Sequence, residues 1–595
     1  MSKAAHRVER PRPQYGSDVI VDMLKAFEIE YIALNPGATF RGLHDSLVNY
    51  GGNRMPEMIL CPHEEITVAL AHGYARAKGK PMASAVHNIV GLQHAAMAIY
   101  NAWCDRLPVI VMGGTGPMDT AQRRPWIDWV HTALVQGNLV RDFVKWDDQP
   151  GSVEAVPEAF IRAYRLATTD PMGPVYLCWD SEVQEKKLNG DGVDVPSLDR
   201  YPAPLPMQAP EEGFEKTIRW LLEAKTPVII ADWVGRREAG FKALFDLVEL
   251  LAIPVFDQHG RFNFPVKHPL NLTGAQDKVL GQADLLLVLD VPDLEGSVTK
   301  RSQEAGRRRP IALLSASAKV INVGLDDLLV RAWSHDFNKL REVDLSIMAD
   351  TAVFLPELVR RLKAEKEALK KKAGDFEKRR EQWSKLHAEQ EAALARETKS
   401  KWDETPIATT RLFSELAEVL KNEDWVLTNG TSQGKENFFM PATKFNQILG
   451  KYKGGGLGYG LPASLGAALA HKGTGKLCVD LQPDGDSLFT ISSLWTAAHY
   501  HIPLLIVVLS NRSYYNDEEH QERMAVLRGR PVENKTVGIR IEDPAVDFAT
   551  NAKSYGVWGA GPITEPKDLS KALRDAIKVV KSGKPALVDV VVQMR

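Results

Sequence analysis

The octapeptide QPDGDSLF, residues 482 to 489, sets two carboxylates, Asp484 and Asp486, two positions apart in a turn after the apolar run KLCVDL. Downstream, the run PLLIVVLS ends at Asn511 of SNRSYYN. One carboxylate, one amide oxygen and a backbone carbonyl make a hard oxygen set, which suits magnesium completed by water and phosphate oxygens. Helix-start amides near Asp486 and Ser487 would favour a phosphate at the same place. Aspartate is also a preferred helix cap, so the turn by itself leaves capping and metal anchoring both open.

Asp484 and Asn511 can meet only if the elements before them lie side by side. Both apolar runs read as buried strands, and SLFTISSLWTAAHYH after the turn carries Leu488, Ile491, Leu494, Trp495 and Ala498 at helical spacing. In an open parallel sheet the carboxyl ends of neighbouring strands are adjacent, and ligands bind there. The rest of the chain has the same rhythm. YIALNPG, PMASAVH, PVIVMGG and PVYLCWD alternate with helical patterns up to about Asp180. A proline-rich stretch, YPAPLPMQAP, then reads as a linker. PVIIADW, IPVFDQ, ADLLLVLDV and PIALLSA outline a second unit ending near Leu362, and WVLTNG, KLCVDLQ, PLLIVVLS and PALVDVVV a third beginning at Thr405. Between them the charge-dense segment 363 to 402 reads as a solvated helix packed by one narrow face. The expected fold is α/β, with three doubly wound parallel-sheet domains at 1–195, 205–362 and 405–595 and a helical connector at 363–404.

Composition narrows the function classes. With 74 basic against 76 acidic residues in a chain of 595, nothing points to nucleic acid or an anionic membrane surface, and small-molecule chemistry is favoured. Cys61, Cys104, Cys178 and Cys478 are far apart and form no Cys-x-x-Cys pair, which argues against a zinc cage or a disulfide framework. A polar N-terminus and the absence of any apolar run of about eighteen residues predict a soluble, cytoplasmic protein.

Other stretches have a plain reading beside a chemical one. Glu64 in CPHEEITVALAHGYARAKGKP reads as a helix-start carboxylate, and His87 in SAVHNIVGLQHAAMAIYNAW as a structural histidine at a strand end. His131 in WIDWVHTALVQ is either a surface residue or part of an active-site loop. The run Arg307-Arg308-Arg309 fits a solvated turn better than a nucleotide-phosphate contact. GGGLGYGLPASLGAALA, residues 454 to 470, lacks the preceding strand that a dinucleotide fingerprint requires.

The stretch DGDSLFTISSLWTAAHYHIPLLIVVLSN resembles the thiamine diphosphate motif of the superfamily of acetolactate synthase, benzoylformate decarboxylase and pyruvate decarboxylase. The resemblance implies that Asp484, Asn511 and the backbone carbonyl of Ser513 hold Mg²⁺ on the cofactor diphosphate, with Asp486 capping or supporting and Gly485 and Ser487 beside the diphosphate. Pro483 and Ser510 depart from the motif's usual Gly and Asn without removing a ligand. The phrase GYARA is similar to that of acetolactate synthases and makes Glu64 the carboxyl group that bonds the aminopyrimidine ring. In the glycine-rich stretch, Gly455 would lie at the cofactor and Leu457 would bend it into its reactive shape; Asn429, Thr431 and Ser432 would contact the diphosphate.

His87 matches the active-site histidine of benzoylformate decarboxylases, whereas Ala38 stands where those enzymes carry a serine. Asp517 falls where pyruvate decarboxylases have an acidic residue, with Asn516 and His520 on the same helix face. Together these imply pyrimidine-binding, central and diphosphate-binding domains and a homodimer or dimer of dimers with sites shared between subunits. The activity implied is a 2-oxo acid decarboxylase or carboligase acting on a small 2-oxo or 2-hydroxy acid derivative. A 2-hydroxyacyl-CoA lyase and a catalytically silent partner subunit are the alternatives. Some relatives carry FAD, which the sequence leaves open without indicating it.

Overall fold

The computed structural model describes residues 12–189, 193–302, 309–328, 339–431, 433–450 and 452–594. The chain divides into two compact units, one running to Pro204 and taking in Gly454–Ala467, the other comprising Leu205–Lys453 and the chain from Ala468 onward.

The first unit is built on strands β1 (Tyr31–Leu34), β2 (Glu57–Leu60), β3 (Met82–Val86), β4 (Val109–Thr115), β5 (Asp147–Asp148) and β6 (Val175–Asp180). They form one parallel sheet in the order β2-β1-β3-β4-β6-β5. The central strands β3, β4 and β6 are buried at every position, as expected for a parallel sheet covered on both faces. Two helices that follow strands of this sheet position the site: the Glu64 helix (Glu64–Lys78) and the His94 helix (Ile89–Cys104). The helix Gly460–Ala470 crosses the Glu64 helix at glycines. A Cβ on Gly73 would lie 1.8 Å from the Ala463 carbonyl oxygen, and one on Gly466 would lie 1.8 Å from that of Leu70. Only hydrogen side chains permit backbones to approach that closely.

The second unit holds two further parallel sheets. Strands β7 (Pro227–Ala231), β8 (Val255–Asp257), β9 (Leu285–Leu289), β12 (Lys319–Gly324) and β13 (Leu345–Met348) are ordered β13-β12-β9-β7-β8. Strands β14 (Trp425–Asn429), β15 (Leu477–Pro483), β16 (Leu505–Ser510), β17 (Trp558–Ile563) and β18 (Ala586–Val591) are ordered β14-β15-β16-β18-β17. The α/β class with three parallel sheets is therefore as expected, with one correction in detail. PIALLSA supplies no strand to the middle sheet. Its first residues form β11 (Pro310–Ala312), exposed throughout and paired antiparallel with β10 (Thr299–Arg301), and the sheet strand is β12. Of the run Arg307-Arg308-Arg309, only Arg309 is among the described residues.

The charge-dense segment forms one helix, Lys366–Ser400, of which Arg379, Trp383 and Thr398 are buried. Trp383, 2% exposed, joins the hydrophobic core of the middle sheet, and the Arg379 guanidinium donates to the Leu251 carbonyl at 2.6 Å. Leu369, Phe376 and Leu386 pack beside Trp383, and Arg380 and Glu391 pair with Glu249 and Lys267, so the polar helix is attached along one face with Trp383 as its deepest anchor. Trp383→Ala should cost about 3–5 kcal/mol in the stability of this unit, read as a lowered midpoint for its transition in denaturant unfolding. An unchanged midpoint would show that the helix is held elsewhere.

Candidate active site

Asp484 is the first residue after β15 and opens the short helix Asp484–Thr490. Its carboxylate, 3% exposed, accepts from its neighbour Gly485 N–H at 2.8 Å and from Arg512 N–H at 2.6 Å. The second bond spans from the tip of β15 to the loop after β16, so the two strand ends meet as the parallel register requires. Arg512 adopts a left-handed φ of 58° in that turn. Asn511 Oδ1 accepts from Ser513 N–H at 3.0 Å, and Ser513 Oγ donates to buried Glu518 at 3.0 Å. Glu518 is in turn held by Arg540.

Burial pushes the Asp484 carboxyl up to about 6, against the pull of its two N–H donors, and Asp589 nearby adds to the rise. No ion-pair partner for Asp484 is found among the described residues. A buried carboxylate without a cation costs several kcal/mol. The available donors, a carboxylate, an amide oxygen and backbone carbonyls, are all hard oxygens. The residues present therefore fit a divalent cation of the magnesium type better than zinc.

The other residues expected here are drawn into the scaffold around the strand tips. Asp486 accepts from Gln482 Nε2, and Gln482 Oε1 accepts from the Asn429 amide at 3.2 Å. The same amide donates to Asp480 at 3.0 Å. Thr431 gives both its N–H and its hydroxyl to Glu436, at 3.0 and 2.6 Å. Ser487 Oγ donates to the Pro483 carbonyl at 2.9 Å, and Gly485 is buried beneath the Tyr514 ring. Ser510 Oγ donates to Asp589 at 2.6 Å, which accounts for a hydroxyl at that position. Asp517, Asn516 and His520 are exposed on the helix Tyr515–Arg528, and Ser432 lies outside the described residues.

In the first unit Glu64 stands in the first turn of its helix, 7% exposed, where the helix dipole favours a negative charge. His63 caps the helix by accepting from Glu65 N–H at 3.2 Å. One Glu64 oxygen lies 3.2 Å from His94 Nδ1, and the other faces Gly91, where an added Cβ would come within 3.0 Å. Gly91 and His94 are three residues apart and so share one helix face. His87 follows β3. Its Nδ1 is 3.0 Å from the Thr39 hydroxyl, and its ring packs edge-on against His131 at 5.3 Å. Burial and His131 hold the His87 imidazole below its usual titration range, so it is neutral at neutral pH. Ala38 sits one residue before Thr39, in the turn after β1. Gly455 has a left-handed φ of 68° and Leu457 is 38% exposed. Their loop is clasped at Gly456 by the buried Asn101 side chain, with contacts of 3.3 and 3.4 Å.

The structure thus gathers two polar centres: Asp484 with Asn511 and Ser513, and Glu64 with His94 beside His87, Thr39 and His131. His94, Thr39, Asn101, Gln482, Glu436, Glu518 and Asp589 were not singled out in the sequence. For His94 a signal existed, seven residues after His87 on a helical pattern; Thr39, Asn101 and Asp589 act through partners remote in sequence, whereas Gln482, Glu436 and Glu518 bond residues four or five positions away.

Two family models cover these two centres. Residues 14–137 match "Thiamine pyrophosphate enzyme, N-terminal TPP binding domain" and residues 428–590 match "Thiamine pyrophosphate enzyme, C-terminal TPP binding domain". The chain belongs to the thiamine diphosphate-dependent enzyme superfamily. It is 26% identical to a probable acetolactate synthase large subunit of Methanocaldococcus jannaschii, over 97% of this chain and 92% of that one. To a benzoylformate decarboxylase of Pseudomonas aeruginosa it is 25% identical over 93% of this chain and 96% of the other. Among solved structures, the thiamine diphosphate-dependent 4-hydroxybenzoylformate decarboxylase of Rhodococcus jostii RHA1 shares the fold. The TM-score is 0.73 at 21% identity, covering 98% of this chain and 99% of that one. As a member of the thiamine diphosphate superfamily, the protein is an enzyme of the type to which acetolactate synthases and benzoylformate decarboxylases belong.

Asp589, fully buried, depends on Ser510 and on Phe548 N–H, the latter at 3.2 Å. Ser510→Ala should destabilise the protein by about 1–3 kcal/mol, the cost of stripping a buried acceptor of a donor. Denaturant unfolding at neutral pH measures it, and a loss near zero would remove Asp589 from the scaffold of Asp484.

Proposed function

We propose that the protein is a thiamine diphosphate- and Mg²⁺-dependent 2-oxo acid decarboxylase or carboligase. The observation that carries this reading is Asp484, a buried carboxylate at a strand tip whose pKa burial raises to about 6 and which lies beside Asn511 and Ser513. Asp484, the Asn511 side chain and the Ser513 carbonyl would hold Mg²⁺ on the diphosphate. Gly485, Asp486, Ser487, Asn429, Thr431 and Ser432 would shape its surroundings, Asp486 and Asn429 indirectly through Gln482. Glu64 would bond the aminopyrimidine ring, and Leu457 on its clasped loop would support the bend. Thiamine diphosphate, when bound, would supply carbanion chemistry next to a carbonyl.

Around it the chain's own groups exclude water and place protons. His87, neutral and held by Thr39, is suited to accept or donate a hydrogen bond at the acyl group. Asp517 would serve the same pocket from a second polypeptide. That arrangement requires a homodimer or a dimer of dimers, each site taking Glu64 from one subunit and Asp484 from another. A small, polar 2-oxo acid is the favoured substrate, in a cytoplasmic setting.

Two observations weigh on the alternatives. The point in the middle sheet where strand order reverses lies between β7 and β9, the usual nucleotide crevice. There Arg236 is bound to Asp290 and Asp350, filling the crevice with an ion cluster rather than a phosphate cradle. That supports a reaction without coenzyme A and without FAD. Glu64, buried and aimed across Gly91, supports an active enzyme over a silent partner subunit.

Purified protein with thiamine diphosphate and Mg²⁺, offered pyruvate, other 2-oxo acids and 2-hydroxyacyl-CoA esters, tests the reading. Carbon dioxide with aldehyde or acyloin is expected; cleavage of the CoA ester would overturn it. Glu64→Gln should abolish turnover while cofactor still binds, and Asp484→Ala should abolish Mg²⁺-dependent cofactor binding. Proton and metal compete for Asp484, so Mg²⁺-dependent affinity should be flat above pH of about 6 and weaken as pH falls, approaching about tenfold per unit. Calorimetric titration across that range measures the slope, and pH-independent affinity would remove Asp484 from the metal.

A further inference from the structure

We propose that His94 is a positioning residue for Glu64 that carries protons between the outside of the site and the buried carboxylate. The inference rests on the reading of Glu64 as the group bonded to the aminopyrimidine. For that role the carboxyl must gain and lose a proton in each cycle, yet it is 7% exposed at the start of its helix. One of its oxygens faces Gly91, which leaves no side chain on that flank. The other lies 3.2 Å from His94 Nδ1, and the His94 side chain is 57% exposed in the single chain. The imidazole therefore has one nitrogen on the buried carboxylate and an outer edge toward solvent.

His63 stacks on His94 with ring centroids 4.8 Å apart and planes inclined by 18°, which fixes the plane of the relay ring. His63 itself is committed to capping, its Nδ1 accepting from Glu65 N–H. Burial lowers its titration range, so it stacks as a neutral ring.

The proton bookkeeping closes. In the resting tautomer Nδ1–H donates to the Glu64 carboxylate. Nε2 takes a proton from solvent as the Nδ1 proton passes to Glu64, leaving neutral imidazole with hydrogen on Nε2 and a carboxylic acid. When Glu64 must be ionised again, Nδ1 takes the proton back and Nε2–H returns one to solvent, restoring the first tautomer. No co-reactant is needed beyond water.

The His63, Glu64 and His94 ligand atoms lie within 4.8 Å of one another, a spacing that a transition metal also tolerates. Stacked rings argue against that use, because their nitrogen lone pairs run side by side instead of converging on a point.

The test uses the cofactor-loaded protein and three variants, His94→Ala, His94→Asn and Glu64→Gln. Hydrogen–deuterium exchange at the thiazolium carbon of bound thiamine diphosphate is followed by quenched-flow NMR. Cofactor affinity is measured separately by calorimetry. Both His94 variants should slow exchange by about tenfold to a hundredfold, within the usual share of positioned acid–base groups, while affinity is retained. Free imidazole should restore part of the rate to His94→Ala.

Exchange at the parent rate in both His94 variants overturns the relay. So does loss of cofactor binding in both, which would make His94 structural, or a raised KM for the 2-oxo acid with unchanged exchange, which would put it on the substrate. A stoichiometric Co²⁺ absorption band in the cofactor-free protein that vanishes in His94→Asn assigns the trio to a metal and overturns it as well. Glu64→Gln keeps the two readings apart: exchange that survives in that variant refutes the role of Glu64 itself, whatever His94 does.

Discussion

A carboxylate held out of water, with no ion-pair partner among the described residues, is the constraint on which the strand tips of the last sheet depend. Asp484 sits at the tip of β15 because β15 is a continuous apolar strand that ends there, and its neighbour β16 ends alongside. The two N–H groups that reach it stabilise the charge in part, yet burial still dominates and raises its affinity for a proton. Asn511 and Ser513 are stapled to each other and to Glu518, which fixes the loop after β16 beside Asp484.

The first unit buries a second carboxylate in a different way. Glu64 is placed where a helix start tolerates its charge, and Gly91 keeps one side open. Its histidine neighbours come from the turn before its own helix and from the next helix in the chain. Both centres follow one rule of open parallel sheets: chemistry collects where strands end and helices begin.

Much of this was legible in the chain itself. Strands buried on both faces, such as β9 and β16, announce themselves as β-branched and aliphatic runs. Edge strands do not. β17 contains two glycines and a proline with a shift of register, and β13 is only partly buried; neither shows a periodic signal. PIALLSA looked like a sheet strand because an apolar tetrad resembles one, but the exposed ribbon it enters needs no apolar face. The same division holds at the site. Asp484, Asn511 and Glu64 stand in local phrases with their own spacing. Asp589 and Asn101 act through neighbours brought close by folding, Asn101 clasping Gly456 from 355 positions away in the chain. Nothing in a window of fifteen residues reveals such a pairing.

The crossing of Gly73 over Ala463 and of Gly466 under Leu70 leaves no gap between two helix backbones. The Tyr459 hydroxyl, just before one helix, accepts from Arg76 on the other at 3.2 Å. Sliding or rotation of either helix would drive main-chain atoms into each other, so thermal motion there is rigid-body in kind. The glycine-rich loop and the glutamate thereby share a single mechanical frame with no slack to give, so a change at either end is transmitted to the other as a displacement of the whole.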